Sequence, residues 1–441
     1  MGVFQSRPPA LLILLVLLLT SSLFAVTTDV RAIEVVETSV TSQDTEWLVG
    51  WQYRKQHTIL GAVGAGTDYQ IRITVHRTSG PDTGEHVFIG TNCEPDFADI
   101  RFTDDDGSTI LDYWLASYDF DIAVFWVEVI DNLDSSQSIF IYYGNSTADS
   151  ISNGDATFPL FDDFNRPNSD NIGGDWFDDS GDGDNDIESN LLKTVQNENQ
   201  YCHIEKSAPS LTTFALHGKL SQHSMAPASW RMAIGVYWGS GTWAKIGWRS
   251  NDNFEAHLYT ASQGEDNGAL HYSNLDGTWC HYKIEFATSS VDFYYSLDGA
   301  SWILVHSATR FSTVSTAPSL VIVGKGYENV NSVPGYLNGD WDNNYATAGP
   351  EYTNYADDIF VRRFVDYEPV QTSWGSEQDY SLLTTTTTDT ISPPISTTPQ
   401  GMDIPLTVIL GIGGGAAAVV IVVLFIRKGS AKGPNPTSYD W

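Results

Sequence analysis

The densest run of carboxylates lies between Asp178 and Glu188, where Asp178, Asp182, Asp184 and Asp186 are interleaved with Gly181, Gly183 and Asn185. Calcium takes about six to eight oxygen ligands, and alternating aspartate and glycine can wrap a backbone around such an ion. On EF-hand spacing the bidentate glutamate is replaced by Ser189, so an EF-hand is rejected. A calcium loop of a β-sandwich and a solvated acidic loop remain as the two readings. A different chemistry is suggested by Trp230, Trp238, Trp243 and Trp248, because exposed indole faces stack on the apolar faces of pyranose rings. Counting in twos, Trp230, Met232, Ile234, Val236 and Trp238 share one strand face and read as core. Trp243 shares its face with Lys245, Gly247 and Arg249 and is expected to be exposed, which makes Trp243, Tyr237 and Arg249 the candidate ligand platform.

Hydrolytic chemistry finds little support. Glycoside hydrolysis needs two carboxylates about 5 to 9 Å apart across a cleft. The nearest pattern, Glu94-Pro95-Asp96-Phe97-Ala98-Asp99, contains proline and reads as a turn. There is no GxSxG, HExxH or phosphate-binding loop, and the 10 histidines lack metal-ligand spacing. The 3 cysteines have no CxxC spacing. Cys202 and Cys280, both in strand-like parts of one module, are expected to pair, with two buried thiols as the alternative. Asn145-Ser146-Thr147 is a glycosylation sequon.

The elements that must position these residues are strands. Ile71, Ile73 and Val75 alternate, Phe125 to Ile130 and Ser138 to Tyr143 repeat the habit, and Asp298-Gly299 is a hairpin turn of the type that strand twist favours. No amphipathic helix of useful length appears, so two half-apolar sheets must cover each other. The expected fold is all-β, with two tandem β-sandwich modules at residues 45–156 and 157–370.

Composition narrows the partners. Lys and Arg total 22 against 55 Asp and Glu, a formal charge of −33 that repels nucleic-acid phosphates. At the ends, Ala10 to Val26 reads as the apolar core of a signal peptide spanning residues 1–32. Residues 404–426 read as one transmembrane helix, and Arg427, Lys428 and Lys432 place the tail 427–441 in the cytoplasm. The Thr/Ser/Pro-rich stretch 381–400 reads as a stalk.

Two resemblances follow from short motifs. Trp51-Gln52-Tyr53-Arg54-Lys55, Asp99-Ile100-Arg101-Phe102-Thr103 with Asp106-Gly107, Trp126-Val127-Glu128-Val129 and Ile141-Tyr142-Tyr143-Gly144-Asn145 resemble the family catalogued as domain of unknown function 2341. That resemblance implies a β-rich module of prokaryotic surface and secreted proteins, commonly followed by a concanavalin-like domain, with no established catalytic residues. Phe161-Asp162-Asp163-Phe164-Asn165-Arg166 followed by Trp176, the hairpin Tyr295 to Trp302, and Tyr355 to Arg362 are similar to the concanavalin A-like, laminin-G-like jelly-roll superfamily. The second resemblance implies that the first and last strands of the second module lie side by side. Asp162 and Asp163 would then meet Asp357 and Asp358, where calcium would relieve their repulsion; side chains facing solvent or capping turns are the alternative. The expectation that follows is a single-pass cell-membrane protein, its N-terminal part extracellular, that binds a glycan or another surface ligand without catalysis, with calcium as cofactor. A structural envelope component and a polysaccharide hydrolase are the alternatives.

Overall fold

A computed structural model describes residues 46–179, 183–196, 202–221, 230–239, 241–249, 253–260, 262–272, 275–325 and 352–383. The expected signal peptide, transmembrane helix and cytoplasmic tail, and all but the first residues of the stalk, lie outside them. No helix among the described residues is long and apolar enough to cross a membrane.

The strands of the first module are β1 (Tyr53–Leu60), β2 (Tyr69–His76), β3 (His86–Phe88), β4 (Arg101–Thr103), β5 (Tyr113–Tyr118), β6 (Ile122–Val129) and β7 (Gln137–Tyr143). A one-turn helix, α1 (Gly154–Thr157), capped by the Asn153 side chain on the amide of Ala156, leads into the second module. There the chain forms β8 (Leu160–Asp162), β9 (Phe177–Asp179), β10 (Asp184–Glu188), β11 (Leu191–Gln196), β12 (Cys202–Ser207), β13 (Phe214–Ser221), β14 (Trp230–Gly239) and β15 (Thr242–Arg249). It continues through β16 (Asn253–Thr260), β17 (Gly264–His271), β18 (Trp279–Phe286), β19 (Ser290–Ser296), β20 (Ile303–Thr309), β21 (Leu320–Lys325) and β22 (Tyr352–Arg363). Last come β23 (Val370–Trp374), β24 (Gln378–Asp379) and a helical turn, α2 (Tyr380–Leu383).

Each module is a sandwich of two sheets. In the first, the order β3-β2-β6-β5 faces the order β23-β1-β7-β4, with β24 also on β1. In the second, β10-β11-β22-β13-β18-β19-β20, with β8 on β22, faces β17-β16-β15-β14-β21-β12-β9. The period-two reading of β14 holds: Met232, Ile234 and Val236 enter one core with Ala244, Ile246 and Trp248 of β15 and Val321 and Val323 of β21. The expected side-by-side placement of the second module's first and last strands is present, with Asp162 opposite Ile359 and Phe161 opposite Phe360.

The modules are not simply in tandem. Strand β23 returns after the second module and pairs with β1 of the first, Leu60 opposite Val370 and His57 opposite Trp374. The physical reason is edge satisfaction, since without β23 one side of β1 would present unpaired amides and carbonyls. Buried His57 holds the junction: its ring nitrogens meet Ser373 O at 3.2 Å and Gln371 Oε1 at 3.0 Å, and its ring stacks on Trp374 at 3.9 Å. Burial lowers the pKa of His57 to about 4, so it packs as the neutral imidazole. The first domain is therefore discontinuous, and the second is inserted between β7 and β23.

Trp374 also donates its indole N–H to Gly84 O at 3.0 Å. Trp374→Ala is expected to destabilise the chain by about 1–3 kcal/mol in urea unfolding, the range for losing a packed ring and a hydrogen bond. A change within about 0.5 kcal/mol, as for an ordinary surface site, would show that β23 is dispensable.

Candidate functional site

Strand alternation decides what the modules show each other. On β6, Ala123, Phe125, Val127 and Val129 enter the first core, so Val124, Trp126 and Glu128 face the other way. On β5 the same rule buries Tyr113 in that core and turns Trp114 outward. The outward side packs on the β13–β22 face of the second module through Trp114, Phe158, Phe161 and Phe360, with Ala116 and Trp126 alongside. Phe360 is central: its ring lies 4.5 Å from Phe158, 5.6 Å from Trp114 and 5.7 Å from Trp126, and it stacks on His217 at 4.5 Å and 7°.

A polar seam borders these rings. Arg362 donates to both oxygens of Glu368 at 2.7 and 2.9 Å, and the Tyr69 hydroxyl donates to Glu368 at 3.0 Å. The amide of Arg363 donates to Gln70 Oε1, and Gln70 Nε2 donates to Thr157 O, both at 3.0 Å. Arg362 Nε donates to His217 Nε2 at 3.3 Å, which requires that nitrogen to be unprotonated. Burial, and then the charges of Arg362, Lys283 and His281, push the His217 pKa well down, in agreement with a neutral ring.

The packing leaves a cavity of about 470 Å³ between the modules. The first module contributes Arg72, Glu85, Trp114 and Trp126, and the second contributes a floor of His217, Lys219, His281 and Lys283. Half-buried Trp302 forms a further wall, 5.8 Å from His217 and 4.8 Å from Lys283 Nζ. Trp302 is held by the Asp298-Gly299 turn expected from sequence. Asp298 accepts from the amides of Ala300 and Ser301 at 2.8 and 2.7 Å, and Gly299 adopts φ +71°, a conformation suited to glycine. Those hydrogen bonds hold the Asp298 carboxyl well below the usual carboxylate range.

A β-bulge aims one more acid into the cavity. Between β13 and β22 the register skips, so that His217 opposes Phe360 but Lys219 opposes Asp357. Asp358 takes φ +51° and lines the cavity. Gly218 makes room for the bulge, because a Cβ there would come within 2.7 Å of Ile359 Cδ1. Lys219 Nζ sits 3.6 Å from Asp357 and 3.9 Å from Asp358. Burial raises Asp357 to about 6, and burial followed by repulsion from Asp357 raises Asp358 to about 7.

The sequence-derived candidates fare unevenly. Trp243 is 1% exposed, not an open platform; it stacks on Tyr259 at 5.4 Å and 16°, and Lys245 Nζ lies 4.8 Å from its ring. Tyr237 is buried in the same cluster with Ile322, and Arg249 ends β15 opposite Asn253. The reason is that both faces of these central strands are covered, so that even Lys245, Glu255 and His257 are buried. A period of two tells which residues share a face, not whether that face meets water.

The described parts of the acidic run are strands: β9 ends at Asp179 and β10 begins at Asp184, while residues 180–182 between them lie outside the described residues. Asp184 and Asp186 lie on β10, paired with β11, with Asp186 3.9 Å from Lys193. Asp178 lies on β9 and accepts from Asn185 Nδ2 at 2.7 Å; Asp182 lies outside the described residues. At the β8–β22 junction, Asp162 accepts from Arg166 Nη1, Trp176 Nε1 and the Phe164 amide, all at 2.7 Å, and from Arg166 Nη2 at 3.1 Å, so that each oxygen takes two donors. Asp163 accepts from the Asn165 amide, while Asp357 and Asp358 are engaged with Lys219. Among the described residues, only Asp104, Asp105 and Asp131 close three acidic side chains to within 4.8 Å.

Cys202 and Cys280 are free thiols, and Cys93 is a third. Cys202 sits on β12 and Cys280 on β18, in opposite sheets, and Cys202 Sγ instead contacts Asn185 Oδ1 at 2.8 Å. Asn145 accepts from the Thr147 amide and hydroxyl at 3.2 and 2.9 Å, an Asx turn at the end of β7. The cavity residues were missed as a site, although outward-facing tryptophans alternating with core residues on β5 and β6 were a usable signal.

Two tests follow. The folded chain holds the protons of Asp357 and Asp358 more tightly than the unfolded reference of 3.8, so their stabilising contribution is complete below that value and is lost as pH rises through 6 to 7. Asp358→Asn should raise the melting temperature at pH 8 and leave it nearly unchanged at pH 4; equal effects at both would contradict the assignment. Burial raises the Cys202 and Cys280 thiols to about 12, so thiol reagent should react slowly with native protein and rapidly after denaturation, and reductant should not lower the melting temperature. A reductant-sensitive melt would restore the disulfide.

No curated protein matches this chain. Among solved structures it is similar to a functionally unknown protein from Saccharomyces cerevisiae, at 11% identity and TM-score 0.30 over 43% of this chain and 95% of that one. It is also similar to the GH43 BlXynB protein from Bacillus licheniformis, at 13% identity and TM-score 0.35 over 58% of this chain and 46% of that one, so it spans under half of that protein. A third is the catalytic domain of an endo-1,3-beta-glucanase (laminarinase) from Thermotoga petrophila RKU-1, at 12% identity and TM-score 0.33 over 46% of this chain and 96% of that one. Residues 96–179, which run from the turn before β4 to the end of β9, match the family model of a domain of unknown function (DUF2341).

Proposed function

We propose that this chain is a membrane-anchored surface protein that binds glycans, without catalysis, in the cleft between its two modules. One observation carries the reading: Trp302, Trp126 and Trp114 line a single cavity together with lysine, arginine, histidine and aspartate side chains. Sugar rings present apolar C–H faces and a rim of hydroxyls, and a pocket with aromatic walls and a few convergent polar groups complements both. The export and anchoring part of the proposal is supported by the apolar stretches 10–26 and 404–426.

Hydrolysis is the weaker reading for a geometric reason. Gly299 lies beside His281 of β18, where a Cβ would approach the ring to 3.1 Å, and β22 is two strands away across β13. Two strand spacings, about 10 Å, separate β18, beside which the Asp298 turn lies, from the β22 backbone of Asp358. Asp298 Oδ1 also accepts from the Ser296 hydroxyl and the amides of Ala300 and Ser301. Of the expected calcium ligands outside the cleft, Asp162 and Asp178 are engaged with protein donors.

Calorimetric titration of the full chain in detergent with oligosaccharides picked from a glycan array tests the proposal. Trp302→Ala and Trp126→Ala should each weaken binding about tenfold, equivalent to ~1.4 kcal/mol of lost stacking. Binding unchanged in both variants, with the fold intact, would move the ligand elsewhere.

A further inference from the structure

The chain has 22 Lys and Arg in 441 residues and a formal charge of −33, yet Arg72, Lys219, Lys283 and Arg362 all line this one cavity, against the lining carboxylates Glu85, Asp298 and Asp358. The floor has a definite pattern. Strands β13 and β18 pair so that His217 opposes Lys283 and Lys219 opposes His281. Residues two apart on a strand share a face, so these four side chains form a square of nitrogen-bearing groups, about 5 Å across the strands and ~7 Å along them.

The carboxylates near this square are otherwise committed. Those of Lys219 are Asp357 and, within the cavity lining, Asp358, both on β22, and that of Lys283 is Glu285 at 2.5 Å, further along β18. Glu85 is paired with Arg72, and Asp298 is held by its turn. The histidines report the local field: burial and then Lys219 lower His281 to about 4, with Asp298 opposing, while Arg362, Lys283 and His281 add to burial in lowering His217. Both rings therefore remain neutral and offer N–H donors without adding to the repulsion between the lysines.

We propose that the cleft selects acidic glycans, seating the carboxylate of a uronate or the sulfate of a sulfated sugar over the square of His217, Lys219, His281 and Lys283 while the sugar ring lies against Trp302. This deepens the glycan reading and rests on it. Lysine ammonium groups make charge-assisted hydrogen bonds to such oxyanions, and the surrounding aromatic walls limit screening by water. A strongly acidic surface would otherwise repel an anionic polymer, so a floor that carries two lysines and no carboxylate confines recognition to one place.

The test is a titration of the full chain with oligogalacturonate, a sulfated galactan oligomer and the neutral galactan oligomer of the same length, with inorganic sulfate as an ion-only control. At about 50 mM salt the acidic oligomers should bind at least tenfold tighter than the neutral one, and the gap should close towards about 0.5 M salt. Carboxylate and sulfate arms distinguish the two oxyanion sources. The double variant Lys219→Gln with Lys283→Gln should erase the preference while keeping residual affinity for the neutral oligomer. Equal affinity for acidic and neutral oligomers, or a preference insensitive to salt, overturns the inference and leaves glycan binding standing. Binding of none of the oligomers overturns both. Should the double variant fail to fold, the salt dependence of the native chain decides.

Discussion

Phe360 is the ring on which the two modules close. It projects from β22, stacks on His217 within its own sheet, and meets Trp114 and Trp126 from the first module. Aromatic pairs in offset or edge-to-face geometry contribute about 0.5–1.5 kcal/mol each beyond the area they bury. The cluster thus sets the distance between the sandwiches. With that distance fixed, the space beside it becomes a cavity with walls from both modules, and the bulge two residues earlier turns Asp358 into it. Arg362, two residues later, ties the same strand to Glu368 and through it to Tyr69.

The insertion of one sandwich into the other depends on the ends of the inserted module being neighbours. Strands β8 and β22 are hydrogen-bonded, so the chain leaves the second module beside the point where it entered. The return allows β23 to cover the open side of β1, with His57 and Trp374 stacked across the joint. Sequence-distant segments therefore complete one small core. Burial and the nearby acids Asp68 and Asp112 raise Glu128, on the outward side of β6, to about 7, which adds a third acid of weakened charge to Asp357 and Asp358.

Much of the fold was legible because local rules and tertiary packing agree. Ile71, Ile73 and Val75 alternate into the core, Asp298-Gly299 turns a hairpin, and the jelly-roll resemblance anticipated β8 against β22. The return of β23 was not legible, since Val370 to Trp374 is too short and mixed to reveal its partner. Trp243 was misread because its strand is buried on both faces. The second half of the aspartate run forms β10, whose acids Asp186 and Glu188 share one face with Lys193, and alternation alone does not tell such a strand from a loop. The outward tryptophans of β5 and β6 marked one wall of the cleft, but Trp126 and Trp302 are remote in sequence, and only the packing of β22 brings them both beside His217.

The central claim is that one ligand touches both modules at once. Hydrogen exchange of the full chain, with and without a saturating acidic oligosaccharide, measures this directly. The account predicts slowed exchange in two separate segments, around Trp114 to Trp126 in the first module and His281 to Trp302 in the second. Protection confined to one module, or centred on Trp243 to Tyr259, would contradict it.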